Sequence, residues 1–278
     1  MRISLSTATL YHRGLGYTLA LAHDAGFDGV ELAVGLDYAI GGQARVTRLV
    51  AESGVPVLSI HPPMVRFPGW PRLVSHRVAR LAALGSALDA RVLVLHSPMI
   101  SGPRSARAKR YAQALRVGQT VAAGSALMLA IETNQYDTRT QRFYLDDLAT
   151  LTEFARDHGC GVTLDTCHEG ANGGDLLAAY EIVRPVLLNV HLSDVVWQDG
   201  LARTHRLPGA GALPLRELLR RMARDGYDGL MTLEVHPKFV PLLGRQRQLA
   251  VLREAVGFVR AAITQPVVEA EAAEQPRA

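Results

Sequence analysis

The chain has 278 residues, 48% hydrophobic and 20% charged, which supplies a sizeable core and excludes an intrinsically disordered protein. A count of 30 basic against 26 acidic side chains leaves a formal charge of +4, which permits an anionic substrate or nucleic acid and requires neither. No window approaches the ~20 unbroken apolar residues of a bilayer span, and the N-terminus lacks the apolar run and cleavage site of a leader, so a cytoplasmic location is expected.

Along the chain, short apolar and β-branched runs alternate with longer stretches of helical period. That is the pattern of repeated βα units on a parallel sheet. Strands are predicted over Arg2–Ser6, Gly29–Val34, Val55–Ile60, Arg91–His96, Leu127–Thr133, Gly161–Asp165, Val186–His191 and Gly229–Val235. Helices are predicted over Tyr17–Ala25, Val46–Ser53, Ser75–Leu88, Arg107–Ala122, Leu145–His158, Leu176–Val183, Leu215–Asp225 and Arg247–Ala262. Their apolar residues recur every three to four positions, as one-sided helices covering a barrel require. Two helices end alike, in Gly26-Phe27-Asp28-Gly29 and Gly226-Tyr227-Asp228-Gly229. The glycine supplies a left-handed cap and the aromatic packs beneath the sheet.

Eight such units, with no Pro/Gly/Ser-rich connector between them, predict an α/β chain folded as a single-domain (β/α)₈ barrel over residues 1–264. Residues 265–278 alternate Glu, Ala, Pro and Gln with few large apolar groups and are expected to be a disordered tail. The two cysteines, Cys160 and Cys167, would lie roughly 20 Å apart on an extended segment, too far for a mutual disulfide.

The polar residues that close the apolar runs carry the chemistry. Strands three to eight end in His61, His96, Glu132, Asp165, His191 and Glu234. In a barrel these strand ends form one rim, where active sites are built. Three carboxylates and three imidazoles at one mouth are costly to desolvate unless a cation compensates them. Mixed carboxylate and imidazole donors suit Mn²⁺, Co²⁺, Fe²⁺ or Zn²⁺, and the lack of a cysteine cluster argues against a structural thiolate zinc site.

Four stretches give these residues a context: Asp165-Thr166-Cys167-His168, His191-Leu192-Ser193-Asp194, Leu207-Pro208-Gly209-Ala210-Gly211, and Gly226-Tyr227-Asp228-Gly229 leading to Thr232-Leu233-Glu234. Together they resemble the xylose isomerase-like TIM-barrel superfamily, which includes sugar isomerases and epimerases and the endonuclease IV family. The resemblance spans roughly residues 2–262. It implies that Glu132, Asp165, His191 and Glu234 hold a divalent metal, with His168 beside it, and that Glu132 and Glu234 face opposite sides of the substrate and exchange a carbon-bound proton.

The leading expectation is therefore a divalent-metal-dependent isomerase or epimerase, with Mn²⁺ the first choice and Co²⁺, Mg²⁺ or Zn²⁺ as alternatives. Its substrate would be a small sugar, sugar phosphate or polyol acid, transformed by proton transfer through a metal-stabilised enediolate. His168 would bind a substrate hydroxyl or assist proton transfer, and Arg203 or Arg206 would hold an anionic end.

The rival expectation is endonuclease IV-like, zinc-dependent phosphodiester cleavage at abasic DNA, the one case with a nucleic-acid partner. The resemblance would then make His61, His96 and Glu132 a second metal site and His168 with His205 a third. Arg203-Thr204-His205 departs from that pattern, placing a cation where the nuclease motif has an acidic ligand. His61, His96, His168 and His205 are thus substrate-binding or second-metal candidates. A non-catalytic sugar- or metal-binding barrel is a third reading, and association into a homo-oligomer is open. Tyr11, His12, Trp70, Trp197 and Tyr136 are candidates either to shape the pocket mouth or to pack loops.

Overall fold

In a computed structural model, residues 1–136 and 143–264 are described. The expected tail lies outside them. Eight parallel strands close into a barrel: β1 (Arg2–Ser6), β2 (Gly29–Ala33), β3 (Val57–His61), β4 (Val92–His96), β5 (Met128–Glu132), β6 (Gly161–Asp165), β7 (Leu187–Leu192) and β10 (Leu230–Leu233). The ring runs β1-β10-β7-β6-β5-β4-β3-β2, each strand beside its sequence neighbour, as right-handed βα crossovers dictate. Around it lie α1 (Leu15–Ala25), α2 (Leu36–Ser53), α3 (Val74–Ala87), α4 (Ala106–Ala122), α5 (Leu148–Asp157), α7 (Leu176–Val183), α8 (Leu215–Arg224) and α9 (Arg245–Thr264). The expected single-domain (β/α)₈ barrel is the architecture found.

The helix-ending signals act as read from sequence. Gly26 and Gly226 take φ of 88° and 70°, the left-handed cap that returns the chain to β2 and β10. Phe27 is buried, and the Tyr227 hydroxyl donates to the Leu230 carbonyl at 2.9 Å. Gly161 has a different reason: an added Cβ would lie 2.3 Å from Leu188 Cγ and 2.8 Å from the Val186 carbonyl, so only glycine lets β6 enter against β7.

Four features depart from the expectation. Helix α2 begins at Leu36, ten residues before the predicted start, because residues 36–41 form a helical segment divided from the rest by a non-helical Gly42 at φ 61° and ψ −159°. A short helix, α6 (Thr166–Ala171), follows β6 directly, capped by the side chain of Asp165. The segment after β7 is an antiparallel hairpin, β8 (Asp194–Gln198) with β9 (Leu201–Arg206). Finally, β10 ends at Leu233, so Glu234 stands one residue beyond the ladder.

Inside the barrel the two halves differ. Val92, Val94 and Ala130 share strand faces with His96 and Glu132 and pack in a small apolar cluster. Beneath the other half runs a buried polar chain. Ser4 and Thr232 hydroxyls lie 2.8 Å apart, Thr232 donates to Asn189 Oδ1 at 2.9 Å, and Asn189 Nδ2 and Ser59 Oγ donate to Glu31 Oε2 at 3.4 and 2.9 Å. The main core lies outside the strands, where Leu5, Leu32, Ile60, Leu93, Ile131, Leu164 and Val190 meet the helices.

Candidate functional site

Period-2 alternation turns Glu132 and Asp165, the last residues of β5 and β6, His191, the penultimate residue of β7, and Glu234, one residue past β10, into the barrel mouth. Glu132, Asp165, His191 and Glu234 converge there, their ligand atoms all within 4.8 Å of one another. His191 is the hub: its Nδ1 lies 2.8 Å from Glu234 Oε2, 3.1 Å from Glu132 Oε1 and 3.9 Å from Asp165 Oδ2. Asp165 divides its oxygens. Oδ1 accepts from the His168 backbone N–H at 2.9 Å as the α6 cap, while Oδ2 is buried without a hydrogen bond.

Like Asp165 Oδ2, Glu132 Oε2 and Glu234 Oε2 are buried and without a hydrogen bond among the described residues; the 2.8 Å approach of Glu234 to His191 lacks hydrogen-bond geometry. Buried carboxylate oxygens without donors are expensive. Asp165 Oδ2 and Glu234 Oε2 face His191 Nδ1 together with Glu132 Oε1, while Glu132 Oε2 turns toward His61 and His96. Carboxylate oxygens around one imidazole nitrogen form the donor set of a hard or borderline divalent cation, so these residues fit a metal ion.

The electrostatics agree with that geometry. Burial alone would raise the Glu234 carboxyl, but the facing His191 ring more than reverses this and holds it at about 2. Glu132, opposed by burial in the same way, is held well below the ordinary carboxylate range by His191, His61 and His96. Burial disfavours a charged His191, yet Glu31, Glu234 and Glu132 together push it well above its usual value. A ligating imidazole must be neutral, so the same carboxylates that favour a protonated His191 would make cation binding compete with protons.

Two further groups share this cluster's edge. His61 Nε2 and His96 Nε2 lie 3.1 Å apart and 3.7 and 3.4 Å from Glu132 Oε2. Because His61 Nδ1 meets the Pro62 carbonyl at 2.7 Å, its Nε2 is the nitrogen left for a ligand. Desolvation opposes protonation of His61, and the surrounding glutamates overcome it, raising the group to about 9. His96 is more open, with 53% of its side chain exposed.

The third group is Asp165, Cys167, His168 and His205. His168 Nδ1 meets the Thr133 carbonyl at 2.9 Å. His205 reaches the cluster from β9 with φ 52°, a left-handed conformation uncommon for a non-glycine residue and typical of residues held in place by their surroundings. Its Nδ1 lies 3.3 Å from the Glu234 carbonyl.

Arg203 is exposed on β9, in register with Val196. Arg206 lies over the Phe239 ring at 4.7 Å. Trp70 is buried against Tyr38 and Phe67, and with Pro62, Met64 and His96 it lines a cavity of about 300 Å³. Tyr11 is 70% exposed and, with His12, Leu36, Tyr38, Met64 and Phe67, lines a cavity of about 390 Å³ whose lining holds none of the cluster's residues. Trp197 is exposed on the hairpin, and the Tyr136 backbone N–H donates to Asn172 Oδ1.

Known proteins of similar sequence and shape extend this picture. A model of the xylose isomerase-like TIM barrel matches residues 19–261. The chain belongs to that family. An uncharacterized protein of Mycobacterium tuberculosis is 28% identical over 286 aligned positions, covering 94% of this chain and 97% of its own. Fructoselysine 3-epimerase of Escherichia coli is 32% identical over 72 residues, 26% of this chain and 25% of that enzyme. Among solved structures, 3-keto-D-glucoside 4-epimerase from E. coli superposes with a TM-score of 0.68 at 19% identity, over 94% of this chain and 99% of that one. As a member of the family, the chain presents its polar cluster at the face where barrels place their chemistry.

Three residues important to this geometry have no site role in the sequence reading. Cys167 joins the third group. Asp194 accepts backbone N–H groups from Val195, Gly209, Gly211 and Leu213 at 2.9 to 3.1 Å, pinning the loop beyond the hairpin. Glu31 lies directly beneath His191, with Oε2 3.2 Å from His191 Nε2. A signal for it existed: Gly29-Val30-Glu31-Leu32-Ala33 carries a charged residue amid apolar neighbours, where a barrel strand has no solvent face.

Proposed function

We propose that this protein is a divalent-metal-dependent isomerase or epimerase acting on a small sugar, sugar phosphate or polyol acid. One observation carries the reading. Glu132, at the end of β5, and Glu234, just beyond β10, lie on strands separated in the ring by β6 and β7, converge on the same His191 nitrogen, and each keeps a buried oxygen without a hydrogen bond among the described residues. Two carboxylates approaching one point from different sides are what removing and returning a proton at one carbon requires.

In this reading Glu132, Asp165, His191 and Glu234 hold the ion, with Mn²⁺ the first choice. The ion supplies charge stabilisation at the oxygens flanking the reacting carbon. Glu132 and Glu234 exchange the proton. His61, His96 and His168 stand beside Glu132 and bind substrate hydroxyls, while Arg203 is left to meet an anionic end at the pocket rim. The local likeness to fructoselysine 3-epimerase supports a sugar substrate.

The test is incubation of Mn²⁺-loaded protein with a panel of ketoses and aldoses in D₂O, followed by NMR. The expected result is a new epimer or isomer carrying deuterium at the reacting carbon, lost in Glu234→Gln. A second reading, phosphodiester hydrolysis, is favoured by the His61–His96–Glu132 group, the shell of a second ion. Nicking of abasic duplex DNA, with no deuterium entering any sugar, would establish it in place of the first.

A further inference from the structure

We infer that Glu31 is a positioning residue for the metal centre: from the barrel interior it fixes His191 with Nε2–H directed downward and Nδ1 toward the ion. The inference rests on the metal-dependent reading above and adds a residue that touches neither ion nor substrate.

His191 has no exposed surface and two nitrogens with different surroundings. Nδ1 faces the carboxylates of Glu132 and Glu234, where a ligand lone pair is needed. Nε2 must then carry the hydrogen, and a buried N–H requires an acceptor. Glu31 Oε2, 3.2 Å away, is that acceptor among the described residues. A carboxylate on the remote nitrogen sets the tautomer, fixes the ring plane and makes the ligating nitrogen more basic.

Glu31 is itself immobilised from two other strands. Ser59 Oγ of β3 and Asn189 Nδ2 of β7 donate to the same Oε2, and Asn189 is oriented in turn by Thr232. Glu31 Oε1 is buried and accepts no hydrogen bond among the described residues. A fully buried carboxylate with one oxygen unbonded is a poor device for stability alone. Beneath a cation it becomes useful, because its charge attracts the ion through the imidazole.

The experiment compares wild type with Glu31→Gln and Ser59→Ala. Co²⁺ and Mn²⁺ affinities are measured by titration of the chelated protein, together with the Co²⁺ d–d spectrum and thermal melting without metal. Gln is isosteric and keeps one acceptor but no charge. The expected outcome is affinity weakened about 10–100-fold, with a shifted d–d band and a metal-free melting temperature equal to or above that of wild type. Ser59→Ala should weaken affinity less and add little on top of Glu31→Gln, because both act through one carboxylate.

A purely structural role would lower metal-free stability and leave affinity and spectrum alone, and that result would overturn the inference. Affinity of Glu31→Gln within two-fold of a tightly binding wild type would overturn it while leaving the metal reading intact. Wild-type protein that takes up neither ion would overturn both.

Discussion

Asp165→Asn separates the two tasks of one side chain. Its Oδ1 caps α6 by accepting from the His168 N–H, and its Oδ2 is the buried oxygen offered to the ion. Asn caps a helix about as well as Asp, so the cap survives, and one of three carboxylate charges crowding the mouth disappears. Chelated Asp165→Asn protein should therefore melt at or above chelated wild type.

With metal the order reverses. Ion at 100 times its dissociation constant stabilises the native state by about 2.7 kcal/mol. At roughly 2–4 °C per kcal/mol for a domain of this size, wild type gains about 5–11 °C. If losing the Asp165 oxygen weakens affinity about 100-fold, the same ion concentration yields only RT ln 2, about 0.4 kcal/mol, or a shift of about 1–2 °C. Thermal melting with chelator and with Mn²⁺ reads all four values. A full metal-induced gain in Asp165→Asn would remove Asp165 from the ligand set, and an equal loss in both states would make its role structural.

Other outcomes rest on the same geometry. Glu132→Gln and Glu234→Gln should each lower turnover by about 10²–10⁴-fold; if one variant still exchanges substrate hydrogen with D₂O while forming no epimer, the two-carboxylate arrangement holds, and full epimerisation by either would refute it. Denaturation of chelated protein should show a stability maximum across mildly acidic pH. His61, raised from 6.5 to about 9, contributes fully below 6.5 and loses its contribution as pH rises through about 9, and Glu234, lowered from 4.5 to about 2, contributes fully above 4.5 and loses it as pH falls through about 2. A chelated protein that gains stability between about pH 7 and 9 would contradict this. Because a ligating imidazole must be neutral, metal affinity should instead rise with pH. Under the isomerase reading, His61→Ala and His96→Ala should raise KM and leave one ion per chain by elemental analysis; loss of an ion from a wild-type content of two would move both into a metal shell. Cys160 and Cys167 are buried free thiols, pushed upward by desolvation, so a thiol reagent should label neither in native protein and both after unfolding.

Much of the fold was legible because it is local. The alternation of strand and helix periods, and the Gly-aromatic-Asp-Gly signal before β2 and β10, arise from chemistry within a few residues. The departures have local physical causes that periodicity does not carry. A glycine kink interrupts the apolar pattern of α2 at Gly42, an aspartate cap starts α6 on the last residue of β6, and the β8–β9 hairpin is half solvent-facing and reads as a loop. The strand-end residues of the site were legible for a topological reason: a closed parallel barrel brings every strand's C-terminal end to one rim, so position in the repeat is also position in space.

What the sequence by itself determined is the eight-unit barrel and the six side chains at its mouth, since period and strand polarity suffice for both. Tertiary structure decided how those side chains, with Cys167, His168 and His205, fall into three overlapping groups and which oxygen of Asp165 is left without a hydrogen bond among the described residues. It also decided that Glu31, from strand two, meets His191, from strand seven, across the barrel interior. Residues 160 positions apart in the chain become hydrogen-bond partners only through ring closure, and no local pattern encodes that approach.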